Sequence, residues 1–264
     1  MLRVSGLFIY PIKSLGGIAV PTAEVTDRGL RFDRCWMLVN ADNGFITQRT
    51  VPSMALIRIA LAPTGLYVNS RLHPEPLFIP FEDRLPEWAD VYIWEDTCRA
   101  QFVSAEADRW FSAALGITCR LVFMPEETRR VTDPAYAPEG SITSFADAFP
   151  FLLIGEASLD DLNSRLDQPV PMDRFRPNIV FTGGGPFFED SMREFFIRDI
   201  RFQGVKLCAR CPIPTIDQET AERGKEPLRT LARYRFRDNK VLFGQNLIHD
   251  GPGEIAVGDP ILVS

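Results

Sequence analysis

Along the chain, short β-branched and aromatic runs alternate with clusters of Gly, Pro, Asn and Asp. Representative runs are "VSGLFIYPI", "CWMLVN", "ALIRIAL", "GLYVNS", "DVYIWED", "CRAQFVS", "CRLVFM", "FPFLLIG", "NIVFTG", "EFFIRDIRFQGVKLC" and "EIAVGDPILVS". Runs of this length, bounded by turn residues, predict strands. No helix pattern follows each run, so an antiparallel barrel or sandwich is expected rather than a doubly wound parallel sheet. The predicted class is mainly β with a few helices, that is, α+β.

Three segments carry a helical period instead. "SAEADRWFSAALG" offers Ser104 as a cap, acids in its first turn, an apolar stripe through Trp110, Phe111, Ala114 and Leu115, and Gly116 as a stop. "EASLDDLNSRL" sets Leu159, Leu162 and Leu166 on one face. "KEPLRTLARYR" predicts a helix with Pro227 in its first turn. Between residues 125 and 144, "PEETRRVTDPAYAPEGSITS" is polar, Pro-rich and aperiodic, which predicts a long connection serving as a lid, a wrapping connector or, equally, a plain mobile linker. A domain boundary is placed before it, giving residues 1–124 and 125–264.

Composition narrows the function. With 264 residues, 45% hydrophobic and a net charge of −6, the chain can bury a large core and lacks the basic surface of a nucleic-acid binder. Any anionic ligand must therefore be held by a few well-placed cations. Pro11 and Lys13 interrupt the apolar N-terminus, so a strand is expected there and not a leader. No apolar stretch reaches the ~20 residues of a membrane span. Cysteines at 35, 98, 119, 208 and 211, an odd number, suit a reducing compartment, and a cytoplasmic location is expected with no membrane partner. Cys35, Cys98 and Cys119 sit in apolar runs and read as buried, inert thiols.

Cys208 and Cys211 pose the central question, because their spacing is shared by zinc sites, redox pairs and single-thiolate metal sites. A structural zinc site needs a second ligand pair, and the only histidines, His73 and His249, are far apart. The pair follows the β-rich "FFIRDIRFQGVKL" and not a βαβ turn, which disfavours a thioredoxin-like motif. A thiolate at a strand end beside Arg210 and two ordinary core cysteines both remain open. In "MDRFRPNIVFTGGG", Arg174, Arg176 and Asn178 enter a strand, where a guanidinium can fork onto an anion or pair with a carboxylate. The triple glycine lacks phosphate-loop spacing and reads as a tight turn.

Eight segments in order, "FIYPIKSLGG", "GLRFDRCWMLVN", "FPFLLIGEASLDDLNSRL", "FRPNIVFTG", "CARCPIPTIDQET", "KEPLRTL", "LFGQN" and "GEIAVGDPILV", resemble the MOSC family with its N-terminal β-barrel companion. Within it, the likeness is strongest to the amidoxime-reducing components and their bacterial homologues. The resemblance implies an N-terminal β-barrel-like domain packed on a MOSC β-barrel. It also implies a molybdenum cofactor, a pterin with a dithiolene and a phosphate, whose metal takes one protein thiolate. By position, Cys211 matches that metal ligand and catalytic centre, and Cys208 a neighbour that does not ligate. Lys13, Ser14, Arg34, Arg176, Asn178, Ala209 and Arg210 match cofactor-binding positions. The chain departs from its relatives at Ala148 and Phe149, where a small hydroxyl residue precedes the strand, and at Asn246, where mitochondrial forms carry an aromatic.

What the resemblance implies in function is reduction of N-hydroxylated bases or amidoximes by electrons from a separate flavin or iron–sulfur reductase. Cys35, Cys98 and Cys119 lack plant-type cluster spacing, and no ferredoxin domain follows Ser264, so no iron–sulfur centre is expected in this chain. The acidic balance predicts a donor with a basic face, a sign that a local basic patch would reverse. Two other functions fit the same family: a sulfur carrier passing cysteine persulfide from a pyridoxal-phosphate desulfurase, and a non-catalytic carrier of the cofactor.

Overall fold

A computed structural model describes residues 1–263. The chain is mainly β, with three α-helices among the described residues, an α+β fold. Two strands organise it, and both are apolar at every position because both of their faces are covered. In Trp36–Val39, Trp36 and Leu38 point into one core with Met54, Ile57, Leu66 and Phe111. Met37 and Val39 point into another with Val91, Phe102, Val122 and Phe145. In Phe151–Gly155, Phe151 and Leu153 face Phe195, Phe202 and Leu247, while Leu152 and Ile154 face Leu162, Phe175 and Phe243. The two-residue period of a strand thus divides each run between two hydrophobic clusters.

The largest sheet runs in the order Ile261–Val263, Glu194–Ile197, Ile200–Ala209, Lys240–Asp250, Phe151–Gly155, Ile179–Thr182, Arg3–Ile9 and Ile18–Val20. Phe151–Gly155 and Ile179–Thr182 pair in parallel, bridged in sequence by helix α2 (Glu156–Asn163), and the neighbouring pairs are antiparallel. Val4 N donates to Asp259 O at 2.9 Å and Ile261 N to Leu2 O at 3.0 Å, so the sheet rolls back on its first strand.

The hydrogen bonding does not follow the expected division at 124/125. Leu7 pairs with Ile179, and Thr22–Thr26 pairs with Gly253–Ala256. Val4, Leu7, Ile9, Val25 and Leu30 share one core with Phe151, Phe202, Ile255 and Ile261. What remains of the first half forms a sheet of Trp36–Val39, Arg120–Phe123, Asp96–Phe102 and Trp88–Ile93, and a second of Ile57–Ala62, Gly65–Ser70 and His73–Pro80. Helix α1 (Ala105–Leu115) packs here through Trp110 and Phe111; Ser104 Oγ accepts from Ala107 N, and Gly116 closes the helix at φ 67°.

The connection from 125 to 150 is a wrapping connector, tied down by two arginines. Arg28 donates to the carbonyls of Pro125, Glu126 and Thr128. Arg130 is 4% exposed and donates to Asp96 and to the carbonyls of Ser144 and Ala146. The predicted C-terminal helix shrinks to α3 (Leu228–Leu231), with Pro227 preceding it. A hairpin cuts it short: Phe236 pairs with Val241 around Asp238 and Asn239, both left-handed as the tight turn requires. No described helix is long and apolar enough to cross a membrane.

Candidate functional site: a cationic cavity closed by a cysteine

A cavity of about 380 Å³ opens where the two halves meet. It is lined by all eight residues expected at the site: Lys13, Ser14, Arg34, Arg176, Asn178, Ala209, Arg210 and Cys211. Three of these, Ser14, Arg34 and Arg176, have left-handed backbone at φ 66°, 51° and 57°. For a residue with a Cβ this costs about 1–2 kcal/mol, so the surrounding structure must hold these corners in place. Such strain collects where geometry serves a ligand.

Tyr10 anchors two of the corners. Its ring is buried, with the Arg34 guanidinium 4.3 Å and the Arg176 guanidinium 4.2 Å from its centre. Arg34 also donates to Asp33 Oδ2 at 2.5 Å and Asn178 Oδ1 at 3.0 Å, and Arg176 to Leu15 O at 2.7 Å. Asn178 is committed to the protein at both ends of its amide: Oδ1 also accepts from Leu152 N, and Nδ2 donates to Phe8 O. It braces the arginine and the strand entry. Arg174 points away, onto Asp217 and Pro214 O, the carboxylate-paired alternative for a strand-entry arginine.

Lys13, 4% exposed, donates to Asp147 Oδ1 at 2.6 Å and Phe145 O at 2.7 Å. Burial lowers its ammonium to about 8 against the pull of Asp147, with Arg130 and Arg49 pushing the same way as burial. Arg176 is lowered to about 10, chiefly by burial, with Arg34 adding repulsion. Asp147, half-open to the cavity, also accepts from Arg49 Nη2 at 2.9 Å. Lys13 and Arg49 together hold its carboxyl well below the usual range, overcoming burial.

The two cysteines differ in their surroundings. Cys211 Sγ accepts from Arg49 Nη2 at 3.1 Å, a contact that joins the second half to the first. Cys208 packs on the apolar cluster around Phe175 and Phe243, and burial raises its thiol although Arg210 Nη1 lies 3.2 Å from the sulfur. The loop after Cys211 is pinned by a buried amide pair, Gln48 with Gln218, in which Gln48 Nε2 also donates to Ser14 O. Cys35 and Cys98 carry thiols raised by burial to about 12 and about 11, as inert thiols would.

The lining carries Lys13, Arg34, Arg49, Arg176, Lys206, Arg210 and Lys240, against Asp147 as the one carboxylate among the described lining residues. In a chain of net charge −6, this is a local inversion of sign. Arg49 Nε and Arg210 Nε are moreover buried with no hydrogen-bond partner among the described residues. Buried donors rarely go unpaired, and cations that burial has made less basic, as it has Lys13 and Arg176, gain from taking up an anion. The site therefore fits a polyanionic ligand presenting acceptors and one open coordination position for a soft thiolate. Arg49, Asp147 and Trp94, also in the lining, carried no sequence signal; each is a single residue in a loop, brought in by the connector and by two turns. Ala148, Phe149 and Asn246 line it as well, with Asn246 Nδ2 donating to Lys206 O.

Comparison with known proteins agrees with this architecture. Residues 1–118 match the MOSC N-terminal beta barrel domain and residues 141–262 the MOSC domain. The chain is 35% identical to mitochondrial amidoxime-reducing component 1 of Mus musculus, over 98% of this chain and 81% of the mouse protein. It is 36% identical to mitochondrial amidoxime reducing component 2 of Rattus norvegicus, over 98% and 82%. It is also 31% identical to a molybdenum cofactor sulfurase of Oryza sativa subsp. japonica, over 97% of this chain but 34% of the rice protein. With its two halves matched in order and its mouse and rat relatives covered over most of their length, the chain belongs to the MOSC family, in the group that joins a MOSC N-terminal β-barrel domain to a MOSC domain.

Proposed function

We propose that the protein binds a molybdenum cofactor in the cationic cavity and reduces N-hydroxylated bases or amidoximes, with electrons from a separate flavin or iron–sulfur reductase. The observation that carries this reading is the surplus of buried, under-compensated cations around a half-buried thiol, Cys211. When bound, the cofactor supplies the two-electron redox chemistry at its metal. Lys13, Arg34, Arg176 and Arg210, with the backbone of Ser14 and Ala209, hold its anionic part. Asn178 braces Arg34, and Cys211 supplies the thiolate. Arg49 hydrogen-bonds that sulfur and, with Lys13, fixes Asp147 at the cavity wall. Each N–O bond reduced consumes two electrons and two protons and releases water.

The relatives named for amidoxime reduction support this reading over most of their length. A reducing compartment such as the cytoplasm suits the five free cysteines. The test is metal and pterin analysis of the protein produced in cells that make the cofactor, followed by reduction of benzamidoxime with reduced methyl viologen. Stoichiometric molybdenum with turnover supports the proposal. Molybdenum without turnover leaves a cofactor carrier, and persulfide on Cys211 without molybdenum leaves a sulfur carrier; either result overturns it.

A further inference from the structure

Trp94 stands at the mouth of the cavity in a position that the fold does not require of a tryptophan. It occupies the first place of the two-residue turn between Trp88–Ile93 and Asp96–Phe102, in which Ile93 pairs with Asp96. Its φ of 55° is left-handed, where such turns favour glycine or asparagine. An indole there costs backbone strain and remains 51% exposed, so the turn itself gains nothing from it.

The ring is nevertheless held firmly. Phe45 packs against it at 5.0 Å in an edge-on arrangement, and the Arg49 guanidinium lies 4.6 Å from its centre. The turn is clamped from the side by Phe45 N donating to Tyr92 O and Tyr92 N donating to Asn43 O. Arg49 in turn touches Cys211 Sγ, so the indole stands one guanidinium away from the sulfur.

A rigid, half-exposed aromatic plane beside the reacting end of a cavity otherwise lined with cations discriminates by shape. It offers stacking surface to a flat, uncharged ring and nothing comparable to a small aliphatic group, while the cations disfavour positively charged molecules. We infer that Trp94 is a specificity-determining wall that selects N-hydroxylated groups carried on a planar aromatic frame. The inference rests on the proposed reductase reading, and its test separates the two.

Benzamidoxime and acetamidoxime share one reacting group and differ in the frame. The measurement is the ratio of their kcat/KM values in wild type, Trp94→Ala and Trp94→Phe at matched molybdenum content. Stacking worth about tenfold should favour benzamidoxime in wild type, vanish in the alanine variant and largely return with phenylalanine. Equal losses for both compounds in Trp94→Ala would overturn the inference, since they would mean that the indole only props Arg49. Should wild type reduce neither compound, the reductase reading fails, and calorimetric titration with benzamidoxime then decides the wall. Weaker binding to Trp94→Ala than to wild type supports it; equal or undetectable binding to both overturns it.

Discussion

Replacing Lys13 by methionine should separate ligand binding from folding. The side chains are similar in length, but the ammonium is lost. Burial lowers Lys13 from 10.5 to about 8, which amounts to about 3 kcal/mol against its charged form at pH 7. Against that gain, the carbonyl of Phe145 loses its donor, a loss of about 1–1.5 kcal/mol. Asp147 keeps Arg49 and stays half-open to the cavity. The cofactor-free variant should therefore match wild type or exceed it by up to about 2 kcal/mol at pH 7. Below pH 8 Lys13 holds its proton in both folded and unfolded wild type. Between about 8 and 10.5 the unfolded chain keeps a proton that the folded one has shed, so the folded state of wild type gains stability as pH rises. The variant lacks that gain, and its advantage should close across this window. Its cofactor content should fall about tenfold or more, because a charge-assisted hydrogen bond to a buried anion contributes roughly 1.5–3 kcal/mol. Urea unfolding of the cofactor-free proteins at pH 7 and pH 10, with molybdenum content measured alongside, gives both quantities. A variant destabilised by more than about 1 kcal/mol at pH 7 yet normally loaded with molybdenum would refute the reasoning.

Cys211→Ser should abolish both molybdenum binding and amidoxime reduction, whereas Cys208→Ser should retain most of each; metal analysis with a methyl viologen assay checks this, and equal losses would point to a dithiol mechanism. Arg176→Ala removes a guanidinium held between Tyr10 and Leu15 O, and should lower cofactor content about tenfold while Arg176→Lys gives an intermediate value by the same metal analysis. Purified protein should show no turnover with a nicotinamide alone and should gain it when a reductase is added. Lys206, Arg210 and Lys240 in the cavity lining reverse the donor face expected from net charge, so donors with an acidic face should couple best, and coupling should weaken as salt rises from 0.05 to about 0.5 M.

How far the sequence carried depended on how local the cause was. Helix α1 was legible because cap, stripe and stop all lie within it. The doubly buried strands at 36–39 and 151–155 were legible because covering both faces leaves an unbroken apolar run. His73–Pro80 was not, since Pro74, Pro76 and Pro80 argue against a strand; among the described residues it pairs with Gly65–Ser70 alone, and an edge tolerates missing donors. Lys240–Asp250 was hidden by Gly244, Gln245 and Asn246, which break its alternation where Gly244 takes φ 84°. At the site, Lys13, Arg34, Arg176 and Cys211 came from collinear resemblance. Arg49, Asp147 and Trp94 meet there through three separate loops, and no local pattern marks residues whose only shared property is a destination.

The pairing of the first thirty residues with the second half has a consequence for how the chain is made. Leu7 must wait for Ile179, and Glu24 for Glu254, before either finds its hydrogen-bonding neighbour. At ~5–20 residues per second on the ribosome, that delay is roughly 10 to 45 s. During it, Val4, Leu7, Ile9 and Val25 have no core to enter. Nascent chains stalled before residue 179 should therefore recruit holdase chaperones to their N-terminal segment. A gene cut at 124/125 should yield fragments that remain insoluble apart, because the split takes Arg3–Ile9 and Ile18–Val20 from the end of the sheet that the second fragment must build and leaves Ile179–Thr182 without its neighbour.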